Sequence, residues 1–341
     1  MSKSRSWTSA RRGAPAPPNR WGRVGGLMAL ALAVALLSLF SGSADLGAGH
    51  TLKALLGGAD GAARSIVLDL RLPRVVAGFA VGSLLALAGV LLQALFRNSL
   101  ADPYVLGVSG GAAVGAILAM SVGAAMLPVQ AAAVGGALAA MIGVYLLARG
   151  GSTARLLLVG VAVASACGAL VSVLLTAADA DRLRGMVFWL AGDLEWAGAP
   201  LASALAALVA VVGAVVLARP LNVLAAGELR ARSVGLEWDT WRLLVYVAAA
   251  LVSAVAVVSA GMIGFVGLIT PHTVRLIFRT SDHRIVAPVS ALLGGTLLAA
   301  ADLIARTVVT PRQLPVGAVT ALVGAPVFLA LLRSAARGAR A

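Results

Sequence analysis

Two arginines, Arg71 and Arg74, flank Pro73 at the head of an apolar run. At i and i+3 they share one helix face, and Pro73 suits a first-turn position. A helix N-terminus already carries partial positive charge, so two cations there call for an anion. Lipid headgroups reached by snorkelling are one source; acidic groups of a partner are the other. Asp302 and Arg306 stand at i and i+4 near the end of another apolar run. A carboxylate inside hydrocarbon is costly and points to function, unless Arg306 neutralises it as an internal ion pair. This chemistry is ion pairing and docking, and nothing in the pattern points to bond-making. His50, His272 and His283 are far apart and give no metal-ligand spacing, so neither metal nor cofactor is expected. The single cysteine, Cys167, cannot pair within the chain and sits in an apolar run. A phosphate-binding loop needs glycines and a Gly-Lys-Ser/Thr ending. Lys3 is followed by Ser4 without the glycines, and Lys53 is followed by Ala54. No nucleophile stands with a base. The chain is expected not to be an enzyme, and any ATP hydrolysis that drives it belongs to another polypeptide.

The elements that position these residues follow from composition. Of 341 residues 60% are hydrophobic and only 12% charged, where a soluble domain carries about 25%. Apolar runs of spanning length recur, and only closed hydrogen bonding satisfies a backbone in lipid. The expected fold is an all-α polytopic bundle of about ten transmembrane helices. The predicted spans are 24–40, 75–95, 105–122, 131–148, 156–177, 201–218, 243–260, 263–278, 285–304 and 316–332. The first also fits a signal-peptide core, since small residues follow it; the retained span is preferred. Residues 1–22 are polar, Pro-rich and basic and read as a disordered cytoplasmic tail. Residues 23–335 are expected to form a single transmembrane domain, and 336–341 a short second cytoplasmic tail. With the N-terminus inside, only Lys53, Arg64, Arg71, Arg74, Arg182, Arg184, Arg306 and Arg312 of the 27 Lys and Arg fall outside. That asymmetry favours both termini inside. It also accounts for the net charge of +14 without nucleic acid, for which no soluble basic domain exists.

Gly107, Gly111 and Gly115 repeat every four residues and make a close-packing helix face. The longest hydrophilic stretch between spans, 219–242, reads as two short amphipathic helices broken at Gly227. It holds Leu221, Leu224 and Ala225 on one side, then Ala231, Val234 and Leu236. Such a loop either lies on the membrane or seeks a partner surface.

Several motifs in a fixed order carry a resemblance. They are Arg71-Leu72-Pro73-Arg74, Gly89 with Gln93, the turn 98–103 from Asn98 to Pro103, Leu106-Gly107 and Ser109-Gly110-Gly111. Later come Gly264-Phe265-Val266-Gly267, Pro271-His272, Ser281-Asp282-His283-Arg284, Asp302 with Arg306, Leu314-Pro315-Val316-Gly317 and Gly324-Ala325-Pro326. Over about residues 24–335 the chain resembles the FecCD permeases of siderophore, haem and cobalamin importers. It departs from them at Ser99, where proline is usual, at Met262, again in place of proline, and at Gln313, in place of glutamate. The resemblance implies a homodimer, or a heterodimer with a paralogous permease, in a bacterial inner membrane. A cytoplasmic ABC ATPase dimer and an extracytoplasmic substrate-binding protein would complete the importer. It implies docking to the binding protein by Arg71, Arg74 and Arg306. It implies ATPase coupling by Leu221, Leu224, Gly227, Glu228, Ala231 and Gly235. Asn98 and Leu100 would border a cytoplasmic gate; the local alternative is a helix cap by Asn98. Gly107, Gly111, Gly115, Gly264, Gly267, Pro271 and His272 read as packing positions, with His272 hydrogen-bonded. The expected cargo is a ferric siderophore, with haem and cobalamin as alternatives. An ion-coupled secondary transporter is the competing class, but it needs ionisable groups at mid-membrane, and only Asp302 comes near.

Overall fold

The computed structural model describes residues 20–42, 46–58, 61–310 and 312–338, and no strand occurs among them. The helices are α1 Arg20–Phe40, α2 Ala48–Leu55, α3 Ala62–Ser65, α4 Leu72–Phe96, α5 Val108–Ser121, α6 Met126–Ala148, α7 Thr153–Thr176 and α8 Ala180–Ala191. They continue with α9 Pro200–Val216, α10 Ala218–Ala226, α11 Glu228–Ser233, α12 Trp238–Ala260, α13 Val266–Phe278, α14 His283–Thr307 and α15 Val316–Gly338. Every predicted span coincides with a helix. The expected tail at 1–22 lies outside the described residues up to position 19, and α1 already begins at Arg20. At the other end α15 runs on to Gly338, through the first part of the expected tail at 336–341, and residues 339–341 lie outside the described residues.

Among the described residues six helices are long and apolar enough to cross a membrane: α1, the continuous Ala62–Phe96, α6, α7, α12 and α14. α9 and α10 pass the same test only taken together, and they are bent by 64° between them. The bend has a local cause, since Pro220 has no N–H to return to Val216 and its ring crowds that carbonyl. The remaining expected spans are the shorter apolar helices α5, α13 and Val316–Leu331 of α15. α5 and α13 are short because their first turns are set back. Gly107 and Phe265 precede them at φ 75° and 69°, and the turn Pro103–Leu106 folds against Gly267.

α4 is the enclosed centre, packed by α14, α12, α9 and α13. In lipid no hydrophobic drive joins helices, so approach depends on small residues. A Cβ on Gly82 would lie 2.3 Å from the Gly294 carbonyl oxygen of α14, and one on Gly89 would lie 1.8 Å from that of Gly267. Gly111 and Gly115 press likewise on Gly136 and Ala132 of α6. Gly107 does not continue that stripe: it caps α5 and touches Val163 of α7. Nothing would meet a Cβ on Gly264, so packing does not explain it. The outward faces of α6, α7 and α9 expose leucines and valines such as Leu146, Leu158, Leu205 and Val209, which suit lipid rather than water.

One local expectation is overturned. Arg71 and Arg74 are not at a helix N-terminus. The helical path begins at Ala62 and passes through a π-helical turn, Ile66–Arg71, before Pro73. Pro73 has no N–H to donate, and a widened turn beside it relieves the ladder. The dipole argument against two cations there falls away.

Loops assigned to one side by arginine counting meet their own side: Arg182 bonds Ser121, Arg242 bonds Gly151, and Asn222 bonds Asp282. Reporter fusions at 149–152 and 230–232 should therefore read as cytoplasmic, and one at 179–182 as external. An external signal from the 230–232 fusion would invert the fold in the membrane.

Candidate functional site

Arg74 projects from α4 into the space between α14 and the link joining α8 to α9. Its guanidinium is used on three sides. Nε donates to Asp302 Oδ1 at 2.8 Å, Nη2 to Asp193 Oδ1 at 2.9 Å, and Nη1 to Gln313 Oε1 at 3.0 Å. Asp302 offers its second oxygen to Arg306, 2.8 Å from Nε. Arg306 Nη2 also donates to the Ser38 carbonyl, and Arg71 Nη1 to that of Leu39, both at the end of α1. These two contacts tie the end of α1 to the bundle. The i,i+4 pair of Asp302 and Arg306 is present, and the anions Arg74 needs come from its own chain. Arg71 and Arg306 are each only 4% exposed. Sequence reading missed Asp193, whose place after Gly192 in a loop gave no signal. Burial raises the Asp193 carboxyl above its ordinary range, opposed by the Arg74 charge and the Glu195 N–H. Gln313, one of the departures from the resemblance, accepts from Arg74 as a neutral group. A cavity of about 310 Å³ opens beside the cluster, lined by Arg71, Arg74, Arg306, Gln313, Asp69 and Glu195.

At the opposite face α4 ends in a left-handed cap. Arg97 sits at φ 51°, and both Arg97 and Asn98 return their N–H groups to Gln93 O. Asn98 caps no helix. Its Oδ1 accepts from Leu100 N at 2.9 Å and closes a turn, leaving Leu100 exposed. Asp102 starts the next turn by accepting from Tyr104 N at 2.9 Å, and burial raises its carboxyl to about 6. Gln93, one turn above the cap, donates to Leu268 O at 3.2 Å and accepts from Arg275. α13 is thus tied to α4 at two points about two helical turns apart. Pro271 lies inside α13. His272 does not find the expected partner, for its Nε2 has none among the described residues.

The 219–242 loop forms α10 and α11 with their corner at Gly227, as expected, at φ 104°. The corner rests on Arg97, whose Cζ would be 3.0 Å from a Cβ there. The side chains do not all point where coupling would need them. Leu221, Leu224 and Ala231 are buried in the chain's own core with Trp238 and Tyr246, because an amphipathic face beside a bundle buries itself first. Exposed positions include Glu228, paired with Arg232 at 2.9 Å, then Leu229, Val234 and Gly235. Leu229 is 89% exposed. Beneath α10, Asn222 binds the head of α14, and its amide is the first cause holding the Asp282 carboxyl below its ordinary range.

The family model of the FecCD transport family matches residues 30–334. A cobalamin import system permease of Halobacterium salinarum is 48% identical over 279 residues, 80% of this chain and 74% of that one. A vitamin B12 import system permease of Klebsiella pneumoniae is 39% identical over 321 residues, 92% and 94% of the two chains. A solved metal-chelate type ABC transporter in an inward-facing conformation superposes with TM-score 0.79 at 30% identity, covering 91% of this chain and 98% of its own. The chain belongs to the FecCD transport family and is a multi-pass permease subunit of an ABC importer of the metal-chelate type, with ATP hydrolysis on a separate chain.

Proposed function

We propose that this permease carries cobalamin across a bacterial inner membrane, as one half of a dimer. The observation behind the substrate is the 48% identity to a relative named for cobalamin import. It moves cobalamin ahead of the ferric siderophore that the family alone suggests. In a strain deleted for the gene, the restored chain should return labelled cobalamin accumulation to wild-type levels, with haem and ferric siderophore at background. Siderophore uptake without cobalamin uptake would reverse the order.

The two faces divide the remaining work. The α10–α11 corner is assigned to the ATPase dimer, with Leu229 as the apolar anchor and Gly227 and Gly235 as hinges. Leu221, Leu224 and Ala231 hold the loop to the bundle from behind. The outer cluster is assigned to the binding protein. Arg71, Arg74 and Arg306 are already paired, so an incoming carboxylate would exchange with Asp193 or Asp302 at the Arg74 fork. Re-pairing of like with like keeps the arginines satisfied in both states and makes docking sensitive to salt. Asn98 and Leu100, beside the Arg97 cap, are assigned to the cytoplasmic gate because the corner that would follow the ATPase rests on that cap.

A further inference from the structure

The motif Ser281-Asp282-His283-Arg284 has no part in the functions above, yet α10 is bound to it. Asn222 Nδ2 donates to Asp282 Oδ1 at 2.8 Å. Asn222 Oδ1 accepts from His283 N at 3.0 Å and lies 2.6 Å from His283 Nδ1. The backbone N–H of His283 can only donate and the Asp282 carboxylate can only accept, so the amide has one orientation. Asp282 also caps α14 through Arg284 N at 3.1 Å. His283 is buried. The head of α14 is therefore finished by a side chain from the coupling loop. From there α14 runs about 35 Å at 1.5 Å per residue to Asp302 and Arg306 in the outer cluster, closely packed on α4 at Gly294. Apolar contacts under α10 can slide, whereas three directed bonds fix both distance and rotation.

We propose that Asn222 is the positioning residue through which α10 grips the inner end of α14, so that movement of the α10–α11 loop reaches the outer ionic cluster along that helix. This rests on the reading of α10–α11 as the ATPase contact. Asn222→Asp is nearly isosteric, keeps the acceptor for His283 and sets a second carboxylate against Asp282. Adding Asp282→Asn returns a donor–acceptor pair and keeps a competent cap.

The test uses the full permease with its cognate ATPase and binding protein in liposomes, measuring labelled cobalamin uptake and ATP hydrolysis together. Asn222→Asp should keep hydrolysis and assembly while uptake per ATP falls roughly tenfold, within the usual range of coupling between sites. The double variant should recover most of that ratio. An unchanged ratio in Asn222→Asp, or no recovery in an assembled double variant, overturns the proposal. Parallel loss of hydrolysis, uptake and thermal midpoint in Asn222→Asp assigns the residue to folding and overturns it as well. A wild-type complex that hydrolyses ATP without importing cobalamin, haem or ferric siderophore would count against the permease reading, and this inference would fall with it.

Discussion

Arg74→Ala should lower the stability of the permease by about 3–5 kcal/mol, the cost of removing one partner from a buried charge pair. The guanidinium makes three contacts within 3.0 Å, with Asp302, Asp193 and Gln313. Both carboxylates are nearly inaccessible, with side chains 3% exposed. Alanine leaves Asp193 without a cation and Asp302 with Arg306 alone. Desolvation then dominates at Asp193, whose carboxyl already stands above its ordinary range, so it would be protonated more readily. The damage reaches α1 as well, since Arg306 links Asp302 to Ser38. Lysine should not substitute, because a point charge cannot span three acceptors arranged around a planar fork. Thermal unfolding in detergent reads the effect, and Arg74→Lys should recover less than half of it. A midpoint within a degree or two of wild type would show the cluster to be solvated and would remove it as the lock of the outer face. Arg184, which lies 5.7 Å above the Phe188 ring, is the contrasting case: its truncation should change stability little, as exposed charges do.

How far the site was legible depends on the range of each interaction. Spans and side assignment follow from composition and arginine position, which are local, and the helices fall where the apolar runs are. The Asp302–Arg306 pair was legible because i,i+4 neighbours on one helix meet regardless of the rest of the fold. The partners of Arg74 were not, since they come from 119, 228 and 239 residues away. No spacing rule reaches that far. The start of α4 was misplaced because Pro73 is an ordinary first-turn signal, and only tertiary packing extends the helix back through a π-helical turn. For 219–242 the amphipathic pattern gave the two helices and the break at Gly227, but amphipathicity does not say whether the apolar face meets the chain's own core or a partner. Here it meets the core, which leaves Leu229 outside. Asn222 carried no signal at all, because a lone asparagine in an amphipathic helix is usually a solvated residue.

The small residues of α4 carry the other large expectation. Gly89→Ala should destabilise by about 1–3 kcal/mol or more, the range for overpacking a filled interface, although alanine is the better helix former by about 1 kcal/mol. The sign is decided by geometry. A Cβ on Gly89 would lie 1.8 Å from the Gly267 oxygen and 2.6 Å from its carbonyl carbon, and a backbone carbonyl cannot rotate away as a side-chain tip can. α13 would have to back off, and the seat is tight from its own side too, for a Cβ on Gly267 would lie 2.7 Å from the Leu85 oxygen of α4 and 2.9 Å from Pro103. One turn on, Gln93 donates to Leu268 O and accepts from Arg275, so withdrawal of α13 breaks buried polar contacts as well as packing. Gly135 of α6 is the control: nothing lies within 4 Å of its Cβ position, and alanine there should be neutral or stabilising by about 0.4–1 kcal/mol through the unfolded state. The unfolding midpoint should fall for Gly89→Ala and hold or rise for Gly135→Ala, and uptake should fall only in the first. Equal midpoints would mean that α4 and α13 stand farther apart in the membrane and that the contact of Gly89 with Gly267 does not limit their approach.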